Sequence, residues 1–467
     1  MLKPTIFREY DIRGTADSEL LSPDVELLGR GLGSYLRRRT GGNKINVGRD
    51  CRLSSPRLRD ALVKGLLAAG CDVTDIGVVP TPVLYYSSQI WKPDGAIMIT
   101  GSHNPAEYNG FKTVCGSGTI YGHAIQDVRR VIERYEFESG SGKLATLDAV
   151  TPYVKEIASQ FQFDRRIKVV VDAGNGTAGP VARRIFEKIN VDVTELFFDM
   201  DGHFPNHHPD PTVPANLFKL IETVRETGAE LGIAFDGDTD RIGAVDEKGN
   251  VVYGDLLMLI YARGILTRNP GATFIGEVKC SQVMYDEIGK LGGNAIMYKT
   301  GHSLIKAKMK EEHAALAGEM SGHMFFADRY YGYDDAIYAA MRLIEIVSKS
   351  GKPLSAQLAG IPKMVSTPEI RIDCPDEKKF DVVQRVAEQF RGRYKTLDID
   401  GVRVIFPEGW GLLRASNTQP VLVMRFEASN QRQLDEYRAE IEHALDKPPV
   451  CPGQAGGSPN RTISPGS

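Results

Sequence analysis

The chain has 467 residues, 42% hydrophobic and 25% charged, with a net charge of −3. At about 150 residues per domain, this length predicts roughly three or four domains of a soluble globular protein. The nearly balanced charge provides no overall basic field for nucleic acid or an acidic membrane, so an anionic ligand must be held by a local cluster.

Six scattered cysteines without a C-x-x-C pair argue against a zinc site and against a disulfide framework, and they fit a reducing cytoplasm. The N-terminal residues lack the apolar core of a signal peptide. No run reaches the ~18 apolar residues that a spanning helix needs. We therefore expect a cytoplasmic protein, a monomer or weak homo-oligomer, with neither nucleic acid nor a membrane as partner.

Strand and helix patterns alternate from the N-terminus onward. A helix pattern follows Ser22-Pro23, a strand covers Ile45–Val47, a helix covers residues 56–69, and strands follow at Val73 and at Gly95–Ile99. Such alternation implies a mostly parallel sheet.

The alternation restarts twice, which suggests an internal repeat of three similar α/β units. Strands then dominate until a charged helix closes the last unit at residues 431–445. The predicted fold is three similar α/β domains with mixed, mostly parallel sheets, followed by a smaller α+β domain. The predicted ranges are 1–147, 148–250, 251–362 and 363–450, with a disordered tail at 451–467.

The sequence TGSHNP, residues 100–105, directly follows the apolar strand at Gly95–Ile99. Glycine and the Asn-Pro pair favour a turn there. Ser102 is thus predicted on a tight loop at the carboxyl end of a strand, where open α/β sheets place ligand chemistry. With His103 beside it and Lys112 ten residues on, this serine could be a nucleophile or a phosphate carrier, or part of an ordinary surface turn.

Three carboxylates alternate in DGDTDR, residues 236–241, after another apolar run. Oxygen ligands that converge on one point favour Mg²⁺ or Ca²⁺. A calcium-binding EF-hand loop would place Glu247 at its last position, but it needs glycine where Arg241 stands, and the flanks read as strands. A solvated acidic turn is the other alternative.

Two further loops offer polar groups. Residues 319–323 (EMSGH) follow a predicted strand and supply donors and acceptors suited to sugar hydroxyls. Residues 414–418 (RASNT) combine an arginine, two hydroxyls, an amide and backbone N–H groups, which could wrap one phosphate. Each could also be a plain turn.

The glycines of GNGTAG, residues 174–179, and Asp199 twenty residues later form a complete dinucleotide-binding pattern. This pattern supports a nicotinamide-dependent dehydrogenase. The alternative is a tight strand-to-helix turn whose glycines allow close packing, and we favour it because the dehydrogenase leaves the other motifs unexplained. The histidine-rich residues 203–208 could bind a metal, but their prolines fit a connecting loop better.

Taken together, TGSHNP, DGDTDR, GEMSGH and RASNT resemble the motifs of the α-D-phosphohexomutases, in the family's order and at family-like spacing. The resemblance runs from Phe7 to about Leu445 and is greatest to the bacterial phosphomannomutase/phosphoglucomutase group. Met320 separates the chain from glucosamine mutases, which usually have glutamine there. The sequence departs from the family at Thr239, where glycine is common. The resemblance implies four domains around a central cleft.

The resemblance also implies the site. Ser102 would be the phosphoserine, and Mg²⁺ would be held by its phosphate with Asp236, Asp238 and Asp240. The other residues implied in catalysis are His103, Lys112, Arg13, Arg241 and His323. Those implied in substrate binding are Tyr10, Lys279, His302, Glu319, Met320, Ser321, Gly322, His323, Arg414, Ala415, Ser416, Asn417 and Thr418.

The implied reaction moves a phosphoryl group reversibly between the 1- and 6-positions of mannose or glucose phosphates. Its intermediate is a bound glucose 1,6-bisphosphate or mannose 1,6-bisphosphate, which must turn end for end. A sugar phosphatase that uses the same phosphoserine remains an alternative, as does the dehydrogenase.

Overall fold

The computed structural model describes residues 2–163, 165–417 and 419–446. Thr418 and the predicted tail therefore lie outside the described residues. The chain divides into two compact units, residues 1–362 and 363–467. No helix of the described ranges combines the length and the hydrophobicity that a bilayer-spanning segment requires.

The first sheet of the larger unit has seven strands in the order β1-β5-β4-β2-β3-β7, with β6 paired to β5. Its central pairs β4–β2 and β2–β3 are parallel, and β4–β5 is antiparallel. The elements of this part are β1 (Ile12–Thr15), α1 (Ser22–Thr40), β2 (Lys44–Arg49), α2 (Ser55–Ala68), β3 (Asp72–Val78), α3 (Thr81–Trp91), β4 (Gly95–Ile99), β5 (Tyr108–Cys115), β6 (Gly118–Thr119), α4 (His123–Glu133) and β7 (Leu144–Thr146).

The second sheet has five strands in the order β12-β11-β10-β8-β9, parallel across β10–β8–β9 and antiparallel across β10–β11–β12. Its elements are α5 (Val150–Gln160), β8 (Ile167–Asp172), α6 (Ala178–Phe186), β9 (Val191–Leu196), α7 (Phe218–Thr227), β10 (Leu231–Phe235), β11 (Ile242–Asp246) and β12 (Val251–Val252).

The third sheet has the order β14-β13-β15-β16, in which only β15–β16 is antiparallel. Its elements are α8 (Gly254–Leu266), β13 (Thr273–Glu277), α9 (Gln282–Lys290), β14 (Asn294–Tyr298), α10 (His302–Glu312), β15 (Leu316–Gly318), β16 (Met324–Phe326) and α11 (Ala336–Ser350).

One pattern recurs in all three sheets. A buried strand in the parallel part, β4, β10 or β15, leads through a loop into an antiparallel neighbour, β5, β11 or β16. All residues of these three parallel strands are buried, because a sheet covered on both faces favours continuous apolar runs. The predicted internal repeat is thus a βα unit that ends in a hairpin. One continuous apolar core joins residues of the three sheets, such as Met98, Val171 and Phe274.

The smaller unit contains one antiparallel sheet and two helices with their own apolar core. Its elements are β17 (Val365–Ser366), β18 (Ile370–Asp373), α12 (Lys379–Arg391), β19 (Lys395–Leu397), β20 (Val402–Phe406), β21 (Gly409–Ala415), β22 (Val421–Ala428) and α13 (Gln431–Asp446). Three mixed α/β sheets and a smaller α+β unit confirm the predicted fold class.

Candidate functional site

Three hairpin loops of the larger unit meet at the candidate site. We call them the serine loop (residues 100–107, between β4 and β5), the aspartate loop (236–241, between β10 and β11) and the glutamate loop (319–323, between β15 and β16). Each follows the carboxyl end of a strand in the parallel part of its sheet, the position at which α/β sheets bind ligands.

Ser102 lies in the left-handed backbone region, with φ of 50°, and is 2% exposed. Its N–H donates to Thr100 Oγ1 at 2.8 Å, which holds the turn. Ser102 Oγ donates to Asp236 Oδ2 at 3.0 Å, and His103 Nδ1 lies 3.2 Å from Ser102 Oγ. The serine of the first sheet and the aspartate of the second are thus in direct contact.

The two loops also approach through their backbones. A Cβ atom on Gly237 would lie 2.7 Å from the carbonyl oxygen of Ser102, so only glycine allows this approach. Behind the aspartate loop, Thr177 N donates to Gly237 O at 3.1 Å and Thr177 Oγ1 lies 3.0 Å from Thr239 Oγ1. A Cβ on Gly176 would lie 2.7 Å from Gly237 O. The GNGTAG residues therefore pack against the aspartate loop as a tight strand-to-helix turn.

Burial and mutual repulsion dominate the electrostatics of the three aspartates. Burial, together with the charges of Asp238 and Asp240, raises the pKa of Asp236 well above its usual range. Lys112 Nζ donates to Asp238 Oδ2 at 2.7 Å and also to Asp240. Although burial opposes its charge, these carboxylates raise the pKa of Lys112. Burial likewise opposes ionisation of Asp238, but Lys112 lowers the pKa of that carboxyl.

The aspartate loop fits a divalent cation. One carboxylate oxygen of each aspartate lies within 4.8 Å of those of the other two, and all three residues are 0% exposed. Asp238 Oδ1 and Asp240 Oδ1 have no hydrogen-bond partner among the described residues. Buried unpaired carboxylate oxygens are costly, and a hard cation that prefers oxygen ligands would satisfy them. The flanks are β10 and β11, so the EF-hand alternative is wrong.

The glutamate loop contacts the aspartate loop through Arg241, whose Nε donates to His323 Nε2 at 2.9 Å. A backbone hydrogen bond from Ile242 N to Gly322 O at 3.0 Å reinforces this contact. Glu319 is 3% exposed and accepts from Gly301 N at 2.7 Å. His323 thus lies between the aspartate loop and the rest of the third sheet.

The other predicted residues of the larger unit lie around these loops. Tyr10 OH donates to Thr300 O at 2.6 Å, and its ring lies edge-on to His302, with 6.4 Å between the ring centroids. Arg13 pairs with Asp11 at 2.5 Å and donates to Asn104 Oδ1 of the serine loop at 3.1 Å.

Glu277 is a buried carboxylate that connects the end of β13 to its surroundings. It lies 3.7 Å from Lys279 Nζ and accepts from Met320 N at 3.2 Å. Ser321 Oγ donates to Glu319 Oε2 at 3.4 Å. Lys279 and Met320 thus share the carboxylate of Glu277, and Ser321 contacts Glu319 within the glutamate loop.

Two histidines at the site have lowered pKa values. Desolvation, followed by the charges of Arg241 and Arg13, lowers the pKa of His103 well below its usual range. Burial and the charge of Lys306 lower the pKa of His302 in the same way. Both rings are therefore neutral at pH 7.

Sequence reasoning missed six residues that support the loops, of which five are buried and Lys306 is half-buried. Each has at least one partner that is distant in sequence, which no local spacing indicates. Thr81 Oγ1, for example, donates to Asp238 Oδ2 at 2.6 Å across 157 positions. The six are Asp50, Arg52, Thr81, Glu277, Lys306 and Asp334.

In the smaller unit, Arg414 is 5% exposed and its Nε donates to Asp400 Oδ2 at 2.9 Å. Lys379 Nζ donates to Ser416 O at 2.5 Å, and Ser416 Oγ accepts from Gln419 N at 3.1 Å. Arg414 near the end of β21 and Lys379 at the start of α12 thus place two cations at the loop that follows β21. Ala415 ends β21, Asn417 follows in the loop, and Thr418 lies outside the described residues.

The histidine-rich residues 203–208 do not form a metal cluster. His207 Nε2 lies 2.9 Å from Asp172 Oδ2, and His203 Nδ1 lies 2.7 Å from Asp201 Oδ1. Neither histidine belongs to a group of ligands close enough for a metal in the described ranges.

The sequence matches all four domain families of phosphoglucomutase/phosphomannomutase. The α/β/α domains I, II and III match residues 4–139, 151–249 and 253–364, and the C-terminal domain matches residues 369–444. The chain therefore belongs to the phosphoglucomutase/phosphomannomutase family, whose members are isomerases, and the predicted four-domain architecture is confirmed.

Named relatives are similar over nearly the whole chain. A phosphomannomutase/phosphoglucomutase of Pseudomonas putida is 46% identical, covering 94% of this chain and 96% of its own. A phosphoglucomutase of Neisseria meningitidis serogroup A is 41% identical, covering 95% and 97%. A solved phosphoglucomutase/phosphomannomutase family protein from Burkholderia thailandensis superposes with a TM-score of 0.89 at 44% identity, covering 95% and 98%.

Proposed function

We propose that the protein transfers a phosphoryl group between the 1- and 6-positions of hexose phosphates through phosphorylated Ser102. The observation that carries the proposal is the contact of Ser102 Oγ with Asp236 at 3.0 Å, beside two buried carboxylate oxygens that find no hydrogen-bond partner in the described part of the chain. Transfer from a serine needs a cation on the phosphate oxygens, and this loop has the donors to hold one. Membership of the family supports the same reaction.

Asp236, Asp238, Asp240 and the phosphate on Ser102 would hold Mg²⁺, the hard divalent cation that most often accompanies phosphate groups. When bound, this ion neutralises charge that develops on the transferring phosphoryl group. Lys112 contributes positive charge at the Oδ2 atoms of Asp238 and Asp240. The other residues that we propose at the reacting end are Arg13, His103, Arg241 and His323.

In the reaction, a sugar hydroxyl attacks phosphorus, its O–P bond forms, and the bond from Ser102 Oγ to phosphorus breaks. The hydroxyl proton passes to a base, Ser102 Oγ takes up a proton as it leaves, and the products are a hexose 1,6-bisphosphate and the free serine hydroxyl. After this intermediate turns end for end, its other phosphate returns a phosphoryl group to Ser102. Binding of the sugar is proposed for Tyr10, Lys279, His302 and residues 319–323, and binding of a phosphate for residues 414–418.

Glucose and mannose phosphates are both proposed substrates, because the two sugars differ only at carbon 2. The glutamate loop can hold the hydroxyls at carbons 3 and 4, which the two share. A carbon 2 contact would discriminate by about 1–3 kcal/mol per mismatched polar group. Discrimination above roughly a thousandfold in kcat/KM, or three steps of 1.36 kcal/mol, would contradict this substrate range. The cytoplasmic location and the monomeric or weakly oligomeric state stay predictions.

The test is an assay of glucose 6-phosphate formed from glucose 1-phosphate, with Mg²⁺ and catalytic glucose 1,6-bisphosphate. Intact mass of the wild type and of Ser102→Ala should differ by one phosphate beyond the substitution, and the variant should be inactive. Ser88→Ala on α3, whose hydroxyl donates to Leu84 O, is the matched control. Equal phosphate content with full activity in Ser102→Ala would refute the proposal, and release of inorganic phosphate in place of isomerisation would favour a phosphatase.

A further inference from the structure

Glu277 is the last residue of β13, and its side chain is buried at the carboxyl edge of the third sheet. β13 lies between β14 and β15 and is parallel to both strands. The side chain of Glu277 is 0% exposed. Because parallel neighbours end at the same edge of a sheet, a side chain at the end of the middle strand can reach the loops that follow all three strands.

The three hydrogen-bond donors to this carboxylate occupy equivalent places in the sheet. Each lies two residues beyond the end of its strand: Lys279 after β13, Thr300 after β14 and Met320 after β15. Oε2 of Glu277 accepts from Lys279 N at 3.1 Å and from Thr300 Oγ1 at 2.7 Å. Oε1 accepts from Met320 N at 3.2 Å. One carboxylate therefore holds the three loops at a fixed spacing.

The middle of these contacts, Thr300, also connects other residues proposed to bind the sugar. Its carbonyl oxygen accepts from Tyr10 OH at 2.6 Å. The next residue, Gly301, donates from its N–H to Glu319 Oε1 at 2.7 Å and directly precedes His302, the first residue of α10. A displacement of Thr300 would therefore move the surroundings of Tyr10, His302 and Glu319 together.

We propose that Glu277 is a positioning residue that holds Lys279, His302 and the glutamate loop in the arrangement that binds the sugar of a hexose phosphate. This inference rests on the proposed function. Glu277 acts on the three loops and not on the sugar itself. Its hydrogen bonds order the loops before the substrate arrives, so that binding does not have to supply the cost of ordering them.

A plain countercharge for Lys279 is the other explanation of Glu277. The Lys279 ammonium lies 3.7 Å from Glu277 Oε1. The two roles predict opposite effects when the carboxylate is replaced by an amide. Loss of a negative charge beside Lys279 would by itself leave the binding of an anionic sugar phosphate unchanged or strengthen it. Loss of the loop contacts would weaken it.

Glu277→Gln keeps the shape of the side chain and removes one of its two acceptor atoms. A glutamine has one acceptor oxygen, and its NH₂ group only donates. In one orientation this group faces Lys279 N, and in the other it faces Met320 N. Either way, the N–H of one loop loses its buried acceptor, and that loop must move to regain a partner.

Glu345→Gln is the matched control, because it makes the same change at a buried carboxylate of α11. Glu345 accepts from Arg329 Nη1 at 2.9 Å and from Lys349 Nζ at 2.7 Å, and both partners lie outside the three loops. Glu345→Gln should lower the melting temperature and leave the affinity for glucose 1-phosphate within about threefold.

The experiment measures the binding of glucose 1-phosphate by calorimetry in the full chain with Ser102→Ala, which prevents turnover. Added Glu277→Gln should raise Kd at least about 10-fold, which corresponds to about 1.4 kcal/mol. Glu277→Asp, which keeps both acceptors on a shorter side chain, should recover part of the affinity. The Kd of inorganic phosphate, which has no sugar, should stay within about threefold.

Two further measurements accompany the binding assay. In the chain with Ser102 present, Glu277→Gln should raise KM for glucose 1-phosphate more than it lowers kcat, and the phosphate content of Ser102 should not change. Thr300→Val removes one donor and leaves the carboxylate in place, so it tests the same contacts if Glu277→Gln does not fold. It should raise Kd at least about threefold.

A Kd of glucose 1-phosphate that is unchanged or lower in Glu277→Gln would overturn the inference and leave the proposed function intact. An equal rise for inorganic phosphate, or an unchanged Kd in Thr300→Val, would overturn it as well. A wild type that binds glucose 1-phosphate without isomerising it would instead contradict the proposed function, and the comparison of Kd values would still decide the role of Glu277.

Discussion

Arg52 provides the sharpest test of how the serine loop is held. Its side chain is 1% exposed. Its guanidinium donates to four carbonyl oxygens, three in the serine loop and one in the first residue of β5. Nη2 lies 2.8 Å from Ser102 O, and Nε pairs with Asp50 at 3.2 Å. The remaining acceptors are Asn104 O at 2.6 Å, Pro105 O at 2.5 Å and Tyr108 O at 3.1 Å.

Arg52→Lys keeps the charge but reduces the donors to three N–H groups on one nitrogen, so at least two of the five contacts are lost. At about 1.5–3 kcal/mol for each charge-assisted bond, the closed loop should lose about 3–6 kcal/mol relative to its open forms. Since 1.36 kcal/mol is a factor of ten, local opening should become about 10²–10⁴ times more frequent. Ser102 would then leave its place beside Asp236, and kcat should fall.

Hydrogen exchange of the amides of Gly101, Ser102 and Asn104 measures this opening directly, and kcat with glucose 1-phosphate measures its consequence. Arg57→Lys is the matched control. Arg57 donates to Leu20 O at 3.0 Å and Ala16 O at 2.9 Å, so its loss affects a different loop. Unchanged exchange at residues 101–104 in Arg52→Lys, with kcat within threefold of the wild type, would refute the reasoning.

Three further outcomes are expected. His207 faces Asp172 Oδ2 and His208 O with its two nitrogens, so both carry protons, and Asp172 raises the pKa of His207 although burial opposes it. The ion pair of protonated His207 with Asp172 stabilises the folded protein below about pH 6.5, and this stabilisation is lost as pH rises through the folded pKa of His207. The urea concentration at the unfolding midpoint should therefore fall more in the wild type than in His207→Gln between about pH 6 and pH 8.5. Equal falls would contradict this. Gly176→Ala should reduce mutase activity, because its Cβ would lie 2.7 Å from Gly237 O. Calorimetry should detect no saturable NAD(P) binding to the wild type. Saturable binding that Gly176→Val abolishes would instead support a dinucleotide site at residues 174–179. Arg414→Ala should weaken substrate and bisphosphate by roughly 1.5–3 kcal/mol, and added glucose 1,6-bisphosphate should restore part of its activity; a wild-type KM without bisphosphate dependence would remove Arg414 from the site.

The sequence predicts the site well where chemistry is local to a strand end. Ser102, Asp236 and Glu319 each follow a buried apolar run, and this placement alone directs their side chains to the carboxyl edge of a sheet. That the three edges meet depends on packing between sheets, which no single motif encodes. In the sequence, only the resemblance of the motif order to a known family indicates that the three edges meet.

The supporting residues escape prediction for a physical reason. Arg52, Glu277 and Asp334 each act on groups that their own segments do not contain, such as the carbonyls of the serine loop or the N–H of Met320. In the sequence, a charged residue that will be buried is a single polar residue near an apolar run. Which group it pairs with is determined only by the folded structure. Such residues become recognisable when burial and contacts are known together.

Thr239 links two features that are separately puzzling in the sequence. It is a β-branched residue with φ of 68°, a strained conformation that costs on the order of 1–3 kcal/mol and is normally left to glycine. Thr177 Oγ1 lies 3.0 Å from Thr239 Oγ1, and a hydrogen bond of this kind contributes about 0.5–1.5 kcal/mol. The hydrogen bond offsets part of the strain, and it forms because Gly176 lets its turn approach Gly237. The glycines that imitate a dinucleotide-binding pattern are thus the ones that permit a threonine between the proposed metal ligands.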